Sequence, residues 1–370
     1  MPANPFLRIL LFPFSLLYGS MIFVRNWLYD SGKFKTVEFD FPTICVGNLS
    51  VGGTGKTPHV EYLIRLLSQQ FKIATLSRGY LRNSSGYLQV EINTSADAAG
   101  DEATMLKKKY QHVAVAVCEE RALGVPQLLS AFPQTDVVLL DDGFQHRAVR
   151  AGLNIVLSSY DNLFTRDYLL PAGSLREFKN GAERANFIVV TKCPPTLSKE
   201  ERESIRNEIA PAKNQLVFFS FLQYGQPYLF TDANVRLQFD KSYDVLLVSG
   251  IAYNENLKDY LRPQVKNLYS LDFSDHHHFT RVDVEKMIEA FGNIETQQKL
   301  LMTTEKDAVR LLSYSNWIFE KKLPIFVQPV IVEFFEEDKQ LFDEEVTGWL
   351  TKLKSFRNEQ ADVAEVQNDT

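Results

Sequence analysis

The hydrophobic and polar positions divide the chain into an apolar first segment and two series of alternating elements. After residue 40, short apolar runs alternate with stretches of helical spacing such as His59–Leu67 and Glu102–Lys109. The predicted strands of this first series are Thr43–Val46, Lys72–Leu76, His112–Val117, Asp136–Leu140, Asn154–Leu157 and Phe187–Val190. Several of these runs are apolar on both faces, which is typical of parallel strands covered by helices on both sides. The pattern therefore predicts an α/β fold with a mostly parallel sheet.

A break near Pro211–Asn214 separates the two series. The three runs after it predict an antiparallel β ribbon: Leu216–Leu222, Pro227–Phe230 and Val235–Phe239. A second alternating series follows, with strands Asp244–Val248, Asn267–Leu271, Leu300–Thr303 and Ile325–Val332 and helices Val282–Phe291 and Lys306–Leu312. We therefore predict a helical segment over 1–36, an α/β core over 37–212, a β-ribbon linker over 213–240, a smaller α/β domain over 241–355 and a disordered polar tail over 356–370.

The first segment carries a long uncharged run, Ile9–Val24, between Arg8 and Arg25. A spanning helix needs about 20 apolar residues, and this run is shorter and contains polar residues and a proline. Signal-peptide cleavage would need a small-residue site, and none follows. Trp27, Tyr29 and flanking cations instead favour a segment that lies in the membrane interface. Helices packed on the globular core and a short membrane span remain open alternatives.

Composition excludes several classes of protein. The 370 residues are 45% hydrophobic and 23% charged, which is ordinary for a globular protein and excludes disordered, collagen-like and polytopic membrane classes. The net charge is −6, so we expect no nucleic-acid partner. Many of the aromatic residues lie in the first 44 positions, and the first 35 residues carry a local charge of +3, which suits anionic lipid headgroups. The three cysteines are too sparse for a disulfide framework or a zinc site.

The strongest local motif is a glycine-rich loop that follows the strand ending at Val46 and precedes a helix starting near Pro58. Its backbone N–H groups can bind phosphate oxygens, its lysine can reach the β- and γ-phosphates, and its last hydroxyl can ligate Mg²⁺. The strict P-loop pattern has glycine where this chain has Ser50. The motif still predicts a nucleotide site, formed by Gly52, Gly53, Thr54, Gly55, Lys56 and Thr57.

Acidic residues follow the apolar strand Asp136–Leu140 and also open the earlier helix Glu102–Lys109. Asp141 and Asp142 end the strand, where a carboxylate can meet Mg²⁺ at the carboxyl end of the sheet. We assign Asp141 to the Mg²⁺ ligands and Asp142 to a supporting role, with the reverse assignment open. Asp101 and Glu102 are typical of a helix cap. Phosphoryl transfer to an alcohol also needs a carboxylate near the hydroxyl proton, and Asp101 is the candidate.

Further candidates come from strand ends and from a histidine run. Arginines after strands that share the P-loop's edge could bind a phosphate group on an acceptor. Three consecutive histidines, His276–His278, have poor metal-ligand spacing, but one of them could assist the base. Lys192 closes a strand where many P-loop proteins contact the base, and the Cys193-Pro194 that follows argues mildly against guanine selectivity.

Taken in order, these motifs resemble those of the tetraacyldisaccharide 4'-kinase family of Gram-negative bacteria. The resemblance covers roughly residues 1 to 330. It is carried by Val46-Gly47-Asn48 and the loop through Pro58, Ser77-Arg78-Gly79-Tyr80, Gly100-Asp101-Glu102, Asp141-Asp142-Gly143-Phe144-Gln145-His146, Leu170-Pro171-Ala172-Gly173 with Leu175-Arg176-Glu177, Asp275-His276-His277, and Thr304-Glu305-Lys306-Asp307. Gly250–Asn254 is looser than the family's usual glycine-rich turn.

The resemblance implies transfer of the γ-phosphoryl group of ATP, with Mg²⁺, to the 4'-hydroxyl of an acylated disaccharide 1-phosphate, giving lipid IVA. It implies a peripheral enzyme on the cytoplasmic face of the inner membrane, attached through its first segment, and we expect no obligate protein partner. Asp101, His276 and Lys56 are then the catalytic residues, with His277 and His278 as alternatives to His276. The P-loop and Lys192 would bind ATP, and Thr57, Asp141 and, through water, Glu102 would bind Mg²⁺. The residues expected to bind the acceptor are Arg78, Arg121, Gln145, His146, Arg176 and Glu177.

Two other functions share some of these motifs. A membrane-associated P-loop regulatory ATPase would need the nucleotide site and the first segment, but neither the Asp101 and histidine pair nor a basic acceptor site. A P-loop GTPase that handles metals would need guanine selectivity and His/Cys ligands, which the sequence supports poorly.

Overall fold

The computed structural model describes residues 5–238, 240–251, 254–275 and 277–368. These residues form two compact units. The first unit comprises the chain up to Asn93, the segment Leu106–Leu222 and the chain from Val332 onward. The second comprises Thr94–Met105 and Gln223–Ile331.

Helices occur throughout the described part of the chain. Proceeding along the sequence, their bounds are α1 Pro5–Asp30, α2 Lys56–Leu67, α3 Ala96–Ala99, α4 Asp101–Lys109, α5 Arg121–Ala131, α6 Lys199–Ile209, α7 Glu255–Leu261, α8 Arg281–Gly292, α9 Glu305–Leu311, α10 Ser315–Glu320 and α11 Glu336–Asn368.

Among the residues that the structure describes, the strands form two main sheets and one small parallel pair. Their bounds are β1 Val37–Glu38, β2 Thr43–Asn48, β3 Ile73–Ser77, β4 Leu88–Val90, β5 Ala114–Val117, β6 Val137–Asp141, β7 Val149–Arg150, β8 Leu153–Ser159, β9 Phe187–Thr191, β10 Leu216–Tyr224, β11 Tyr228–Leu229, β12 Asp232–Arg236, β13 Asp244–Ser249, β14 Asn267–Asp272, β15 Lys299–Thr304, β16 Ile325–Gln328 and β17 Val330–Phe334. Within the described residues, the larger sheet has the order β17-β10-β9-β8-β2-β6-β3-β5-β4.

The larger sheet is parallel from β10 to β5 and is buried on both faces. Every pair between those strands is parallel, whereas β4 pairs with β5 in the antiparallel sense. In β6, Val138 and Leu140 pack in one apolar cluster together with residues of α5, while the alternate Val137 and Leu139 are equally buried. Because successive strand residues point to opposite faces, both faces of β6 are covered. The predicted α/β fold with a mostly parallel sheet is confirmed.

The second unit has its own sheet, with the order β12-β11-β16-β15-β13-β14 among the described residues. The four strands from β16 to β14 pair in parallel, and β11 and β12 add an antiparallel edge. Helix α8 packs against β13, with Val284 and Met287 fully buried. Strands β13 to β16 of this sheet lie within the range predicted for the smaller α/β domain, 241–355, but the second unit ends at Ile331 and the chain from Val332 onward belongs to the first unit.

Several predicted segments differ from the structure. The predicted strand Ile325–Val332 is two strands, β16 in the smaller sheet and β17 in the larger one. Leu216–Leu222 is not part of an antiparallel ribbon, because β10 pairs in parallel with β9 and extends the larger sheet. A short continuous apolar run is compatible with both arrangements in sequence, and only the partner strand distinguishes them. The predicted disordered tail begins at Phe356, whereas α11 continues as helix to Asn368. This stretch has no Pro or Gly and is rich in strong helix formers such as Glu, Gln and Ala.

Helix α1 attaches to the first unit by one face along its second half. The Ser15 hydroxyl donates to Leu169 O at 3.0 Å and accepts from Ala172 N at 2.9 Å. Further along, the Tyr18 hydroxyl donates to Arg176 O at 2.8 Å, and the Arg25 guanidinium donates to Gln145 O. These bonds join α1 to the loop that follows β8 and to the turn that follows β6.

Close packing at Gly19 completes this attachment. A Cβ atom at this position would lie 3.1 Å from the Leu169 side chain and 3.4 Å from the Phe178 ring. The opposite face of α1 leaves large apolar side chains in solvent, namely Phe6, Ile9, Leu10, Phe14, Leu16, Leu17, Met21 and Phe23. By length and composition alone, the stretch Phe6–Asp30 could cross a membrane.

A buried histidine fixes the first turn of α2. His59 Nδ1 lies 2.7 Å from Gly55 O and Nε2 lies 3.0 Å from the Ser220 hydroxyl. A carbonyl can only accept, so Nδ1 carries the proton and the neutral ring accepts from Ser220 through Nε2. Burial lowers the pKa of His59 to about 4, and the bond to Gly55 opposes this only in part.

We expect Gly19→Val to weaken the attachment of α1. The added branched side chain would collide with Leu169 and Phe178, and overpacking of this kind costs about 1–3 kcal/mol. Ser20→Val is the matched control, because Ser20 is the next residue along the helix and is exposed. Thermal unfolding of both variants in detergent tests this, and equal unfolding midpoints would contradict the packing described.

His59 also predicts a pH dependence of stability. Its pKa is lower in the folded chain than in the unfolded chain, so the unfolded state binds the extra proton between about pH 6.5 and pH 4. Stability therefore falls as pH drops through this window, by roughly 3 kcal/mol from this residue. Urea unfolding between pH 7 and pH 4 should show a shallower decline for His59→Asn than for the exposed-site control His112→Asn. Identical declines would contradict the assignment.

Candidate active site

The P-loop connects β2 to α2 in the first unit. Gly52 and Gly55 have φ angles of 106° and 88°, in the left-handed region that favours glycine. Gly55 directly precedes α2, so the loop ends at the first free N–H groups of a helix. Thr54 is held from two sides, since its hydroxyl accepts from Asn48 Nδ2 at 3.0 Å and its carbonyl accepts from the Thr191 hydroxyl at 2.9 Å. This geometry is suited to phosphate binding.

Ser50 lies at the base of this loop, where the strict pattern has glycine. It is buried and forms an isolated antiparallel bridge with Leu175. Val51 N donates to Ser174 O at 2.8 Å, and Arg176 N donates to Leu49 O at 2.7 Å. The segment 174–176 therefore runs alongside the start of the P-loop and fixes it through backbone bonds.

Asp142 lies between two cations. Its Oδ1 is 2.9 Å from the Arg176 guanidinium and 3.8 Å from Lys56 Nζ. Arg176 also donates to Asn48 Oδ1, so one side chain contacts both β2 and the residue after β6. Burial penalises the carboxylate, but Lys56 and then Arg176 outweigh this and lower the pKa of Asp142. Asp142 is therefore an ionised bridge between the lysine and the arginine.

Asp141 has a different environment from its neighbour. It is the last residue of β6, pairs in register with Val46 of β2 and is only 2% exposed. Asp142 adopts a left-handed φ of 51°, which turns the chain out of the strand and separates the two carboxylates. The adjacent acidic residues thus occupy different environments, and the assignment of different roles to them stays a prediction.

The donor set of this region is compatible with Mg²⁺. The Asp141 carboxylate and the hydroxyl of Thr57, which is buried in the first turn of α2, are hard oxygen ligands of the kind that Mg²⁺ prefers. Among the described residues, no group of three or more His, Cys, Asp or Glu side chains could hold a metal ion. In phosphoryl-transfer sites, Mg²⁺ is usually bound by one or two protein oxygens, and substrate phosphates and water complete its coordination.

Arg121 and Glu177, two of the residues predicted to bind the acceptor, are almost fully buried. Arg121 is 2% exposed, and its guanidinium donates to Asp141 O at 3.1 Å and to Cys118 O at 3.3 Å. Glu177 is 1% exposed and accepts from Gln145 Nε2 at 3.0 Å and from Arg184. Both side chains support the turn after β6 in this structure, and their contact with the acceptor stays a prediction.

The other predicted acceptor residues of this unit are more open. Arg78 is exposed directly after β3, and Gln145 and His146 are half-buried in the turn after β6. Burial, followed by the charges of Arg121 and Arg78, lowers the pKa of His146 to about 4. Lys192 follows β9 with a left-handed φ of 57°. The structure thus brings the P-loop, Asp141, Asp142, Gln145, Arg176 and Glu177 into one connected region of the first unit.

The predicted base belongs to the second unit. Asp101 begins α4, and its Oδ2 accepts from Arg310 Nε at 2.7 Å. Glu102 Oε1 lies 2.6 Å from Lys306 Nζ. The cations Arg310 and Lys306 were not among the predicted site residues. The motif that contains Lys306 was recognised in the sequence, but nothing in its spacing indicates which carboxylates it meets.

The histidine run is only partly described. His276, the preferred partner of the base, lies outside the described residues. His277 Nε2 is 3.0 Å from Asp283 Oδ2, and its ring stacks on Phe273. Burial opposes ionisation of Asp283, but bonds from Thr280 and from His277 outweigh it and lower the pKa of Asp283. His277 therefore contacts the first turn of α8, and the choice among the three histidines stays a prediction.

Comparison with known proteins gives a consistent answer. The family model for tetraacyldisaccharide-1-P 4'-kinase matches residues 7–350. The tetraacyldisaccharide 4'-kinase of Bacteroides thetaiotaomicron is 41% identical over 361 residues, covering 94% of this chain and 95% of the relative. That of Flavobacterium johnsoniae is 46% identical over 305 residues, covering 82% and 88%.

A solved structure is also similar. The crystal structure of the "apo" form of LpxK from Aquifex aeolicus in complex with ATP superposes with a TM-score of 0.70 at 32% sequence identity. The match covers 90% of this chain and 97% of that one. Together with the P-loop and the residues around Asp141 and Asp142, these matches show that the chain belongs to the tetraacyldisaccharide-1-P 4'-kinase family.

Proposed function

We propose that this protein transfers the γ-phosphoryl group of ATP to the 4'-hydroxyl of a tetraacyldisaccharide 1-phosphate, giving lipid IVA in lipid A biosynthesis. The observation that carries the proposal is the position of Lys56, on a helix N-terminus and beside a carboxylate shared with Arg176. This grouping suits a triphosphate, and family membership supplies the acceptor.

ATP binding follows from the P-loop. The backbone N–H groups of residues 52–57 and the positive end of α2 attract phosphate oxygens. Lys56 then contributes a charge at the β- and γ-phosphates, where negative charge spreads over the equatorial oxygens during transfer. Arg176 lies on the other side of Asp142 and adds a second cation. Lys192 is the proposed contact of the adenine base.

Thr57, Asp141 and, through water, Glu102 are the proposed Mg²⁺ ligands. When bound, this ion neutralises developing charge on the phosphate oxygens. Arg121 contributes indirectly, since it binds the carbonyls of residues 141 and 142 and so fixes the backbone that presents Asp141.

Asp101 is the proposed base, and His276 is its proposed partner. A carboxylate that accepts the hydroxyl proton must stay ionised and must be held still until transfer occurs. The ion pair with Arg310 holds the side chain of Asp101 in place on the protein side. Arg78, Gln145, His146 and Arg176 are proposed to bind the acceptor, with Arg121 and Glu177 supporting them.

We propose that α1 lies in the membrane interface and does not span the bilayer. Its bonds from Ser15 to Arg25 cover about 15 Å of helix, given a rise of about 1.5 Å per residue, and all of them end on backbone groups of the first unit. A helix attached over that length keeps its other face free for lipid. That face is apolar, and Trp27 with Lys33 at 4.3 Å above its ring is a typical interfacial pair. Because ATP is the donor, this attachment would be to the cytoplasmic face of the inner membrane.

The proposed transfer is tested with γ-labelled ATP, Mg²⁺ and a detergent-solubilised tetraacyldisaccharide 1-phosphate. We expect a product that carries one added phosphate by mass spectrometry. Lys56→Ala should lower kcat by about 100-fold or more, because it removes a preorganised charge from the transferring group. Lys72→Ala, an exposed lysine of the same unit, is the control.

ATP hydrolysis without a phosphorylated lipid would contradict the proposal and favour a regulatory ATPase. Equal activity of Lys56→Ala and Lys72→Ala would contradict the role of the P-loop lysine, even if lipid IVA is formed.

A second prediction separates the two neighbouring carboxylates. Asp141→Asn should raise the Mg²⁺ concentration needed for half-maximal activity by about tenfold or more, because even indirect supports of metal sites cost about 10–100-fold. Asp142→Asn should leave that concentration closer to the parent value while lowering kcat, since it removes the bridge between Lys56 and Arg176. Magnesium titrations of both variants at saturating ATP measure this. The opposite pattern would assign the direct ligand to Asp142.

A further inference from the structure

Arg310 occupies a position where its side chain contacts two carboxylates at once. Its Nε donates to Asp101 Oδ2 at 2.7 Å, and Nη1 donates to Asp307 Oδ1 at 2.9 Å. Nη1 also donates to Gly250 O at 3.1 Å. The side chain is 4% exposed, so these contacts lie away from bulk water.

Asp307 holds the guanidinium of Arg310 in place from the buried side. It is fully buried, and its Oδ2 accepts from Gly250 N at 3.0 Å and from the Thr304 hydroxyl at 2.7 Å. Thr304 ends β15 and caps α9, while Gly250 follows β13, so the anchor is built on two neighbouring parallel strands. A Cβ at Gly250 would lie 3.2 Å from Asp307 Oδ1, which shows how closely the backbone approaches this carboxylate.

The contact with Asp101 is monodentate. Arg310 binds Oδ2, and among the described residues the structure shows no bond to the other oxygen, Oδ1. Side-chain exposure rises from 0% at Asp307 to 4% at Arg310 and 18% at Asp101. The chain of contacts therefore runs from a buried anchor to a more open carboxylate that keeps one oxygen available.

We propose that Arg310 is a positioning residue that orients Asp101, with Asp307 as its anchor, so that Oδ1 can accept the proton of the acceptor hydroxyl. The inference rests on the proposed function and deepens it. In the step concerned, the acceptor O–H bond breaks, its proton moves to Asp101 Oδ1, and the hydroxyl oxygen forms the new bond to phosphorus as ADP leaves. Arg310 gains and loses no proton in this step.

The shape of the guanidinium explains why this position holds arginine. Two different nitrogens of one rigid, planar group reach Asp101 and Asp307, whereas the single ammonium of lysine cannot bridge them in the same way. Arg310→Lys therefore keeps the charge beside the buried Asp307 but loses the fixed orientation of Asp101. A misplacement of about 1 Å at a reacting group can cost about 100-fold in rate.

The test is a double-mutant cycle on lipid transfer. Arg310→Lys should lower kcat by about 100-fold with little change in the KM for ATP, because Arg310 is proposed to orient the base and not to bind the nucleotide. Asp101→Asn should lower kcat further. The double variant Asp101→Asn/Arg310→Lys should be no slower than Asp101→Asn alone, because Arg310 acts only through that carboxylate.

Arg262→Gln is the matched control, since Arg262 pairs with Glu255 and Asp259 on the surface of the same unit. Circular dichroism and thermal unfolding of each variant show whether it is folded, and Arg310→Gln adds a variant without the charge. A cycle in which the two losses multiply, or an Arg310→Lys variant with the parent kcat, would overturn the inference while leaving the proposed function intact. If Asp101→Asn keeps the parent kcat, the assignment of the base itself is wrong.

Discussion

Asp142 follows the central strand β6, and its carboxylate is shared between Lys56 of the P-loop and Arg176 of the loop after β8. Three chain segments that are distant in sequence therefore meet at one ionised group. Without it, two cations would lie close together in a partly buried region, where like charges repel strongly. Bound phosphates could replace part of this compensation, so the site is preformed to receive negative charge.

The loop after β8, which contains Arg176, also binds the apolar helix α1. Tyr18 of α1 binds the carbonyl of Arg176, whose side chain contacts Asp142 and Asn48. Arg25 binds the carbonyl of Gln145 in the turn after β6. The surface proposed to lie in the membrane and the residues proposed to bind phosphate thus share backbone segments. An acceptor held in the bilayer interface would reach a site whose loops are fixed by the helix proposed to lie in the same interface.

The sequence predicted the α/β core and the nucleotide motif because their signals are local. Apolar runs mark the strands, and the glycines with Lys56 and Thr57 mark the P-loop. Pairing is non-local, which is why Leu216–Leu222 was wrongly predicted as a ribbon although it is a parallel strand beside β9. Arg121 and Arg310 show the same limit. From sequence alone, each arginine could be solvated or could bind a ligand. Only the fold shows that it is buried against the groups it supports.

Each unit contains a carboxylate that is paired with arginine, but the two carboxylates are neutralised to different extents. In the first, Asp142 bridges two cations, so its charge is fully engaged and it is poorly suited to accept a proton. In the second, Asp101 contacts one nitrogen of an arginine that also contacts Asp307 and Gly250. That arginine divides its charge between two carboxylates, so it orients Asp101 without compensating it completely. Asp101 is therefore oriented through one of its oxygens, as the proposed base requires, whereas Asp142 is suited to structural bridging.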